Sequence, residues 1–95
     1  MDNHAIDALK DQTLARFGTV DILINNAGTS IRKMPEMLAE DEWHTVIDTN
    51  LSSALYCSQA AYPAMQKAGG GKIINIGSMM SLFGAPYAAA YCASK

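Results

Sequence analysis

The sequence predicts an α/β fold with parallel strands, and three observations carry that expectation. Two short apolar runs, residues 20–26 and 72–76, are rich in branched residues and lack polar alternation, as in strands covered on both faces. Helical periodicity fills residues 3–17 ahead of the first run and residues 41–68 between the two. A strand, a long helix and a second strand make a crossover unit, so the strands should be parallel and the connection right-handed.

Each element follows from its residues. In 3–17, Ile6, Leu9, Leu14 and Phe17 fall mostly on one helical face, and Gly18 stands where a left-handed C-terminal cap belongs. The next run lies between Gly18 and Gly28, is too short for a helix, and carries Asn25 and Asn26 at its carboxyl end. Residues 29–39, with Ser30, Arg32, Lys33 and Pro35, keep no period and predict a loop over that strand end. The long helix opens at Glu40 or Asp41, whose charge suits its dipole, and sets Trp43, Val46, Ile47, Leu51 and Leu55 on its apolar side. Pro63 predicts a kink or the end of one hydrogen-bonded run. Gly69, Gly70 and Gly71 precede a strand instead of linking a strand to a helix, so they read as a loop and not as a phosphate-binding turn. After the second strand, residues 77–90 are loop-like, and residues 88–95 begin another helix.

Composition removes several function classes. Ninety-five residues allow one small domain at most, and a net charge of -2 from seven basic and nine acidic residues offers no stripe for nucleic acid or an anionic membrane. Asp2, His4 and Asp7 stand where a signal peptide would be basic, and no apolar run is long enough to span a membrane. Cys57 and Cys92 are isolated, which argues against a metal site or a disulfide framework and for the reduced thiols of a cytoplasmic protein. Trp43 and the six methionines read as core or interface filling, except that Met79 and Met80 follow Ser78 and could wall a pocket.

The chemistry gathers near the end of the chain. Tyr91 and Lys95 are one helical turn apart, so the ammonium can lie near the phenol and favour its ionised form. Ser78 stands thirteen residues before Tyr91, just after the second strand. A Tyr-x-x-x-Lys match alone arises about 0.2 times by chance in a chain of this length, whereas Asn25-Asn26-Ala27-Gly28 after a strand arises roughly once in a thousand such chains. Asn50 is a poor helix former in mid-helix and needs a compensating partner.

On these four features, in this order and spacing, the chain resembles the short-chain dehydrogenase/reductase family. The resemblance spans nearly all 95 residues. It implies a Rossmann-like, doubly wound parallel sheet of which residues 1–95 are the central part, lacking the N-terminal glycine-rich cofactor turn and the C-terminal substrate-loop region. It further implies an NAD- or NADP-dependent oxidoreductase that interconverts a secondary alcohol and a ketone on a small molecule and works as a homo-oligomer, a dimer or a tetramer. In that scheme Tyr91 moves the hydroxyl proton. A phenol with an ordinary pKa of ~10 is only about one-thousandth ionised at neutral pH, so a cation must help, and Lys95 supplies it while also holding the nicotinamide ribose. Ser78 donates to the substrate oxygen. By the same resemblance Asn50 distorts its helix and holds a water that links Lys95 to solvent, and Asn26, Ala27 and Gly28 line the cofactor site. Arg32 is a candidate for a substrate carboxylate, being a bidentate binder in a loop above the active edge.

The stretches Asn26–Lys33 and Ile76–Pro86 look most like the sugar-acid and polyol branch, such as gluconate 5-dehydrogenase or 2-deoxy-gluconate 3-dehydrogenase, which implies a place in carbohydrate metabolism. The 3-oxoacyl-carrier-protein reductases share every catalytic motif, and Gly77-Ser78 replaces the usual Ser-Ser. Two other classes compete: a truncated, inactive α/β fragment or scaffold, and a receiver-like signalling domain. The latter needs acids at its strand ends, where this chain has Asn25 and Asn26. A serine hydrolase is poorly served, because His4 and His44 lie in helical segments far from Ser78 in sequence.

Overall fold

The computed structural model describes residues 3–95, so Met1 and Asp2, including the part Asp2 plays in the signal-peptide reading, lie outside the described residues. Helix α1 (Asn3–Phe17) leads into strand β1 (Ile22–Asn25). A 3₁₀ turn (Pro35–Met37), helix α2 (Glu40–Ile47), a π-helical turn (Asp48–Ser52) and helix α3 (Ser53–Lys67) follow. Strand β2 (Lys72–Asn75) and the short helices α4 (Met80–Phe83) and α5 (Ala89–Ser94) complete the order.

The strands pair in parallel, with Ile22 opposite Lys72 and Asn25 opposite Asn75. At their carboxyl ends the Asn25 side-chain amide donates to Asn75 Oδ1 at 2.8 Å and to Ser58 Oγ at 3.4 Å, tying β1 to both β2 and α3. Glycines set both helix exits towards the sheet. Gly18, at φ 79°, donates its N–H to the Leu14 carbonyl at 2.8 Å and ends α1 in the left-handed conformation. Gly69 (φ 89°) and Gly70 close α3 by donating to Gln66 and Met65 carbonyls at 3.1 and 2.9 Å, the double bond of a Schellman cap. A Cβ on Gly71 would stand 2.7 Å from Met65 Cγ, so only glycine lets the end of α3 pass this close to the sheet.

The core is two small clusters. Ile6, Ala61 and Met65 are buried where α1 and α3 meet the entry to β1, and Val46, Ala88 and Ala90 are buried where α2 packs on α5. The strands, expected to be covered on both faces within a whole doubly wound domain, are not so covered by residues 3–95 alone. Every residue of β2 is exposed, and Ile22 and Ile24 of β1 are 59% and 57% exposed. The helices of this chain pack on one face of β1 and leave the apolar run of β2 open.

Other differences are local. Both strands are shorter than their apolar runs, and the loop after Ser78 contains α4. The long helix is interrupted at the π-turn and not at Pro63, which lies inside α3. Pro63 has no N–H to give the Gln59 carbonyl, and both residues are exposed. Among the described residues no helix is long and apolar enough to cross a membrane, and no cluster of His, Cys, Asp and Glu could hold a metal ion. Both cysteines are free, and burial pushes the Cys57 thiol up from its ordinary range.

Candidate active site

Parallel strands deliver both carboxyl ends to the same side, which is where open α/β sheets present ligand sites. From β1 the chain continues through Asn26, Ala27 and Gly28, all exposed, and from β2 through Gly77 to the half-buried Ser78. Lys95 reaches both exits. Its Nζ donates to the Ile76 carbonyl at 3.4 Å just beyond β2, and a Cβ built on Gly28 would stand 3.2 Å from the same Nζ. Gly28 therefore keeps space for the ammonium, since a side chain there would crowd it.

Asn50 fixes the surroundings. The π-turn turns its side chain inward, where the residue is only 7% exposed and its amide is fully engaged. Oδ1 accepts the Thr29 N–H at 2.7 Å, while Nδ2 donates to the Thr29 carbonyl at 2.8 Å and to Ser94 Oγ at 2.9 Å. Ser94 in turn donates to the Tyr91 carbonyl at 2.9 Å. One buried polar network thus holds the exit of β1, the π-turn and α5 together. The compensating partner that a mid-helix asparagine requires is the backbone of Thr29.

Tyr91 is half-buried on α5, and the Lys95 N–H donates to its carbonyl at 3.1 Å, placing the two side chains one turn apart on the same side. The Ser78 hydroxyl oxygen accepts the Met80 N–H at 3.2 Å, which leaves its proton available to another oxygen. Ser81 differs, because its hydroxyl is committed to the Ser78 carbonyl. Among the described residues no hydrogen bond joins the Tyr91 hydroxyl to Ser78 or Lys95, although all three stand at one end of the sheet. Catalytic hydrogen bonds are often long or unmade without substrate.

Arg32 is exposed in the loop after β1. Its neighbour Lys33 anchors that loop: the Lys33 N–H donates to the Tyr87 carbonyl at 2.9 Å, and its ammonium lies 2.7 Å from one Glu42 oxygen and 2.8 Å from the other. The Lys33 hydrogen bond, followed by one from the Ala39 N–H, holds the Glu42 carboxyl below its ordinary value of 4.5. Apolar side chains stand along both loops, Met34 and Met37 on the first and Met79, Leu82, Phe83 and Tyr87 on the second, all exposed. A groove of about 520 Å³ between α1 and α3 lies at the opposite, amino end of β1 and is lined by Leu14, Thr19, Pro63 and Lys67. It shares none of these residues.

Sequence reading missed Thr29 and Ser94. Thr29 works through its backbone, so no side-chain pattern marks it, and Ser94 is marked only by standing next to Lys95.

A parallel sheet with small residues at one strand exit, an inward asparagine in a π-turn and a Tyr/Lys helix at the other defines a class. The chain matches the short chain dehydrogenase family over residues 1–95 and belongs to it. It is 39% identical over 94 residues to a 3alpha-hydroxysteroid dehydrogenase of Mediterraneibacter gnavus, covering 99% of this chain and 38% of that protein. It is 38% identical over 94 residues to the 3-oxoacyl-[acyl-carrier-protein] reductase FabG of Haemophilus influenzae, with 99% and 39% covered. The corresponding reductase of Salmonella typhimurium is 40% identical over 94 residues, with 99% and 38% covered. The chain therefore spans less than two-fifths of the length of these curated relatives.

Proposed function

We propose that these residues are the catalytic centre of an NAD- or NADP-dependent oxidoreductase interconverting a secondary alcohol and a ketone, and that residues 1–95 are the central part of a single Rossmann-type domain. The observation that carries the reading is the convergence of Lys95, Gly28 and Asn50 at the exits of two parallel strands. An ammonium with donors to spare, beside a strand exit stripped of side-chain bulk, fits the ribose hydroxyls of a nicotinamide nucleotide. When bound, the nicotinamide gives or takes the hydride. Lys95 holds the ribose, and Asn26, Ala27 and Gly28 let it approach the backbone. Tyr91 Oη gives its proton to the ketone oxygen, or takes one from the alcohol, and Ser78 Oγ donates to that same oxygen. Asn50 keeps the β1 exit and α5 in place.

For the substrate, the loop beyond Ser78 supports an apolar body. Met79, Leu82 and Phe83 are 76%, 82% and 82% exposed there, and the relatives are named for hydroxysteroid and oxoacyl substrates. A sugar acid or polyol is the second reading, favoured by the exposed Arg32 in the facing loop. The intact protein is read as cytoplasmic, with reduced Cys57 and Cys92, and as a homo-oligomer, either a dimer or a tetramer. Leu51, Leu55 and Tyr62 support assembly by forming an exposed apolar stripe at helical spacing.

The test is turnover by the intact protein of a steroid ketone, a 3-oxoacyl thioester and a keto sugar acid, followed by nicotinamide absorbance. The apolar ketones should lead in kcat/KM by about tenfold, equivalent to ~1.4 kcal/mol in the barrier. The opposite ranking would overturn the substrate reading, and no turnover of any ketone or alcohol would overturn the reaction.

A further inference from the structure

We infer that Ser94 is a positioning residue of this site, whose hydroxyl seats the Tyr91–Lys95 turn against Asn50. The inference rests on the alcohol/ketone reading for its effect on rate, but its geometric core stands apart from that reading. Tyr91 and Lys95 are joined by one turn of α5, so their placement depends on what that turn touches. Ala88 and Ala90 pack its beginning against α2 and offer no direction to its end. At that end stands Ser94, 5% exposed, accepting from Asn50 Nδ2 at 2.9 Å and donating to the Tyr91 carbonyl at 2.9 Å.

The contacts close a ring. Ser94 holds Asn50, Asn50 holds both backbone groups of Thr29, Thr29 adjoins Gly28, and Gly28 leaves the space in which the ammonium of Lys95, the residue after Ser94, stands. Loss of the Ser94 acceptor leaves one hydrogen of a buried amide without a partner, an expensive state that the amide can relieve only by rotating off Thr29. Either outcome loosens the β1 exit and the Lys95 turn together. Chemistry that depends on ångström placement then slows, while substrate contacts on the outer loops stay as they were.

Ser94→Ala in the intact protein should lower kcat about tenfold with the substrate KM within about twofold, because positioning losses appear in kcat. A readout independent of turnover accompanies it: amide hydrogen exchange at Thr29 and Lys95 should quicken by at least about tenfold, with the amides of α3 unchanged. Ser94→Cys, which keeps the volume but is a weak acceptor, should follow the alanine variant and carries the test if that variant fails to fold. In an Asn50→Ala background, Ser94→Ala should add less than about twofold, since the hydroxyl acts through the amide. Wild-type kcat with unchanged exchange, or a full penalty persisting without Asn50, would overturn the inference. Tyr91→Phe runs alongside: if it retains full activity the catalytic reading fails, while the exchange comparison still decides the place of Ser94.

Discussion

The strand exits and the strands themselves are built on opposite terms. At the exits, polar atoms are buried and paired, with Asn50 and Ser94 almost fully enclosed and their hydrogen-bonding groups engaged. In the strands, apolar side chains are open to solvent: Ile22, Ile24, Ile73 and Ile74 are all exposed. At the site, the contacts that fix the geometry are polar ones. Hydrogen bonds among the β1 exit, the π-turn and α5 organise it locally, whereas the sheet still requires something to cover its apolar surface.

The largest expected effect breaks the chemical end alone. Tyr91→Phe should reduce kcat by about 10³-fold or more, the scale of a lost general acid–base, while circular dichroism and melting temperature stay near wild type. A loss below about tenfold would remove Tyr91 from the reaction. Asn50→Ala attacks the network instead and should cost about 10²-fold in kcat, because two segments lose their common anchor. Unlike the tyrosine variant, it should also lower the melting temperature, so a kinetic loss without a thermal one would contradict the anchoring role.

The other side of the comparison is tested on the polypeptide of residues 1–95 by itself. We expect self-association or partial order, and Ile24→Lys with Ile74→Lys should reduce the association seen in gel filtration. A monodisperse, cooperatively melting monomer would show that the exposed strands need no cover.

Smaller effects belong to the loops. Arg32→Ala should raise KM by a few-fold for substrates bearing a carboxylate and leave neutral analogues unchanged. Equal effects on both would make Arg32 a solvated charge. The Lys33–Glu42 link should give the smallest effect of all. Because the Glu42 carboxyl titrates below 4.5 in the folded chain, its contribution to holding the loop is present above that ordinary value and fades as pH falls through the lowered one. Lys33→Ala should move the titration up towards 4.5, as read by NMR of the side-chain carboxyl. An unmoved titration would assign the shift to the Ala39 N–H alone.

The exits were more legible in the sequence than the strands because their chemistry is written in residue types at fixed spacing. Tyr91 with Lys95 depends only on one helical turn, and Gly28 only on the absence of a side chain. Strand burial is set by whatever packs across each face, which the composition of residues 72–76 cannot specify. The π-turn was partly legible, since Asn50 signalled strain, but its partner is a backbone, and backbones leave no mark in a sequence. Ser94 was missed for a different reason: a lone serine in a helix has many ordinary uses, and only the fold shows that this one meets Asn50.

On the proposed reading, a hydride moves between a substrate carbon and a nicotinamide at this edge, with Tyr91 handling the proton. The most direct measurement supplies the intact protein with a reduced nicotinamide nucleotide, deuterated at the transferring position, and a ketone in ordinary water, then examines the alcohol by mass spectrometry and NMR. Wild type should place one deuterium at the carbinol carbon, and Tyr91→Phe should give almost no labelled alcohol. Alcohol free of deuterium, or labelled alcohol formed equally well without the Tyr91 hydroxyl, would contradict that reading.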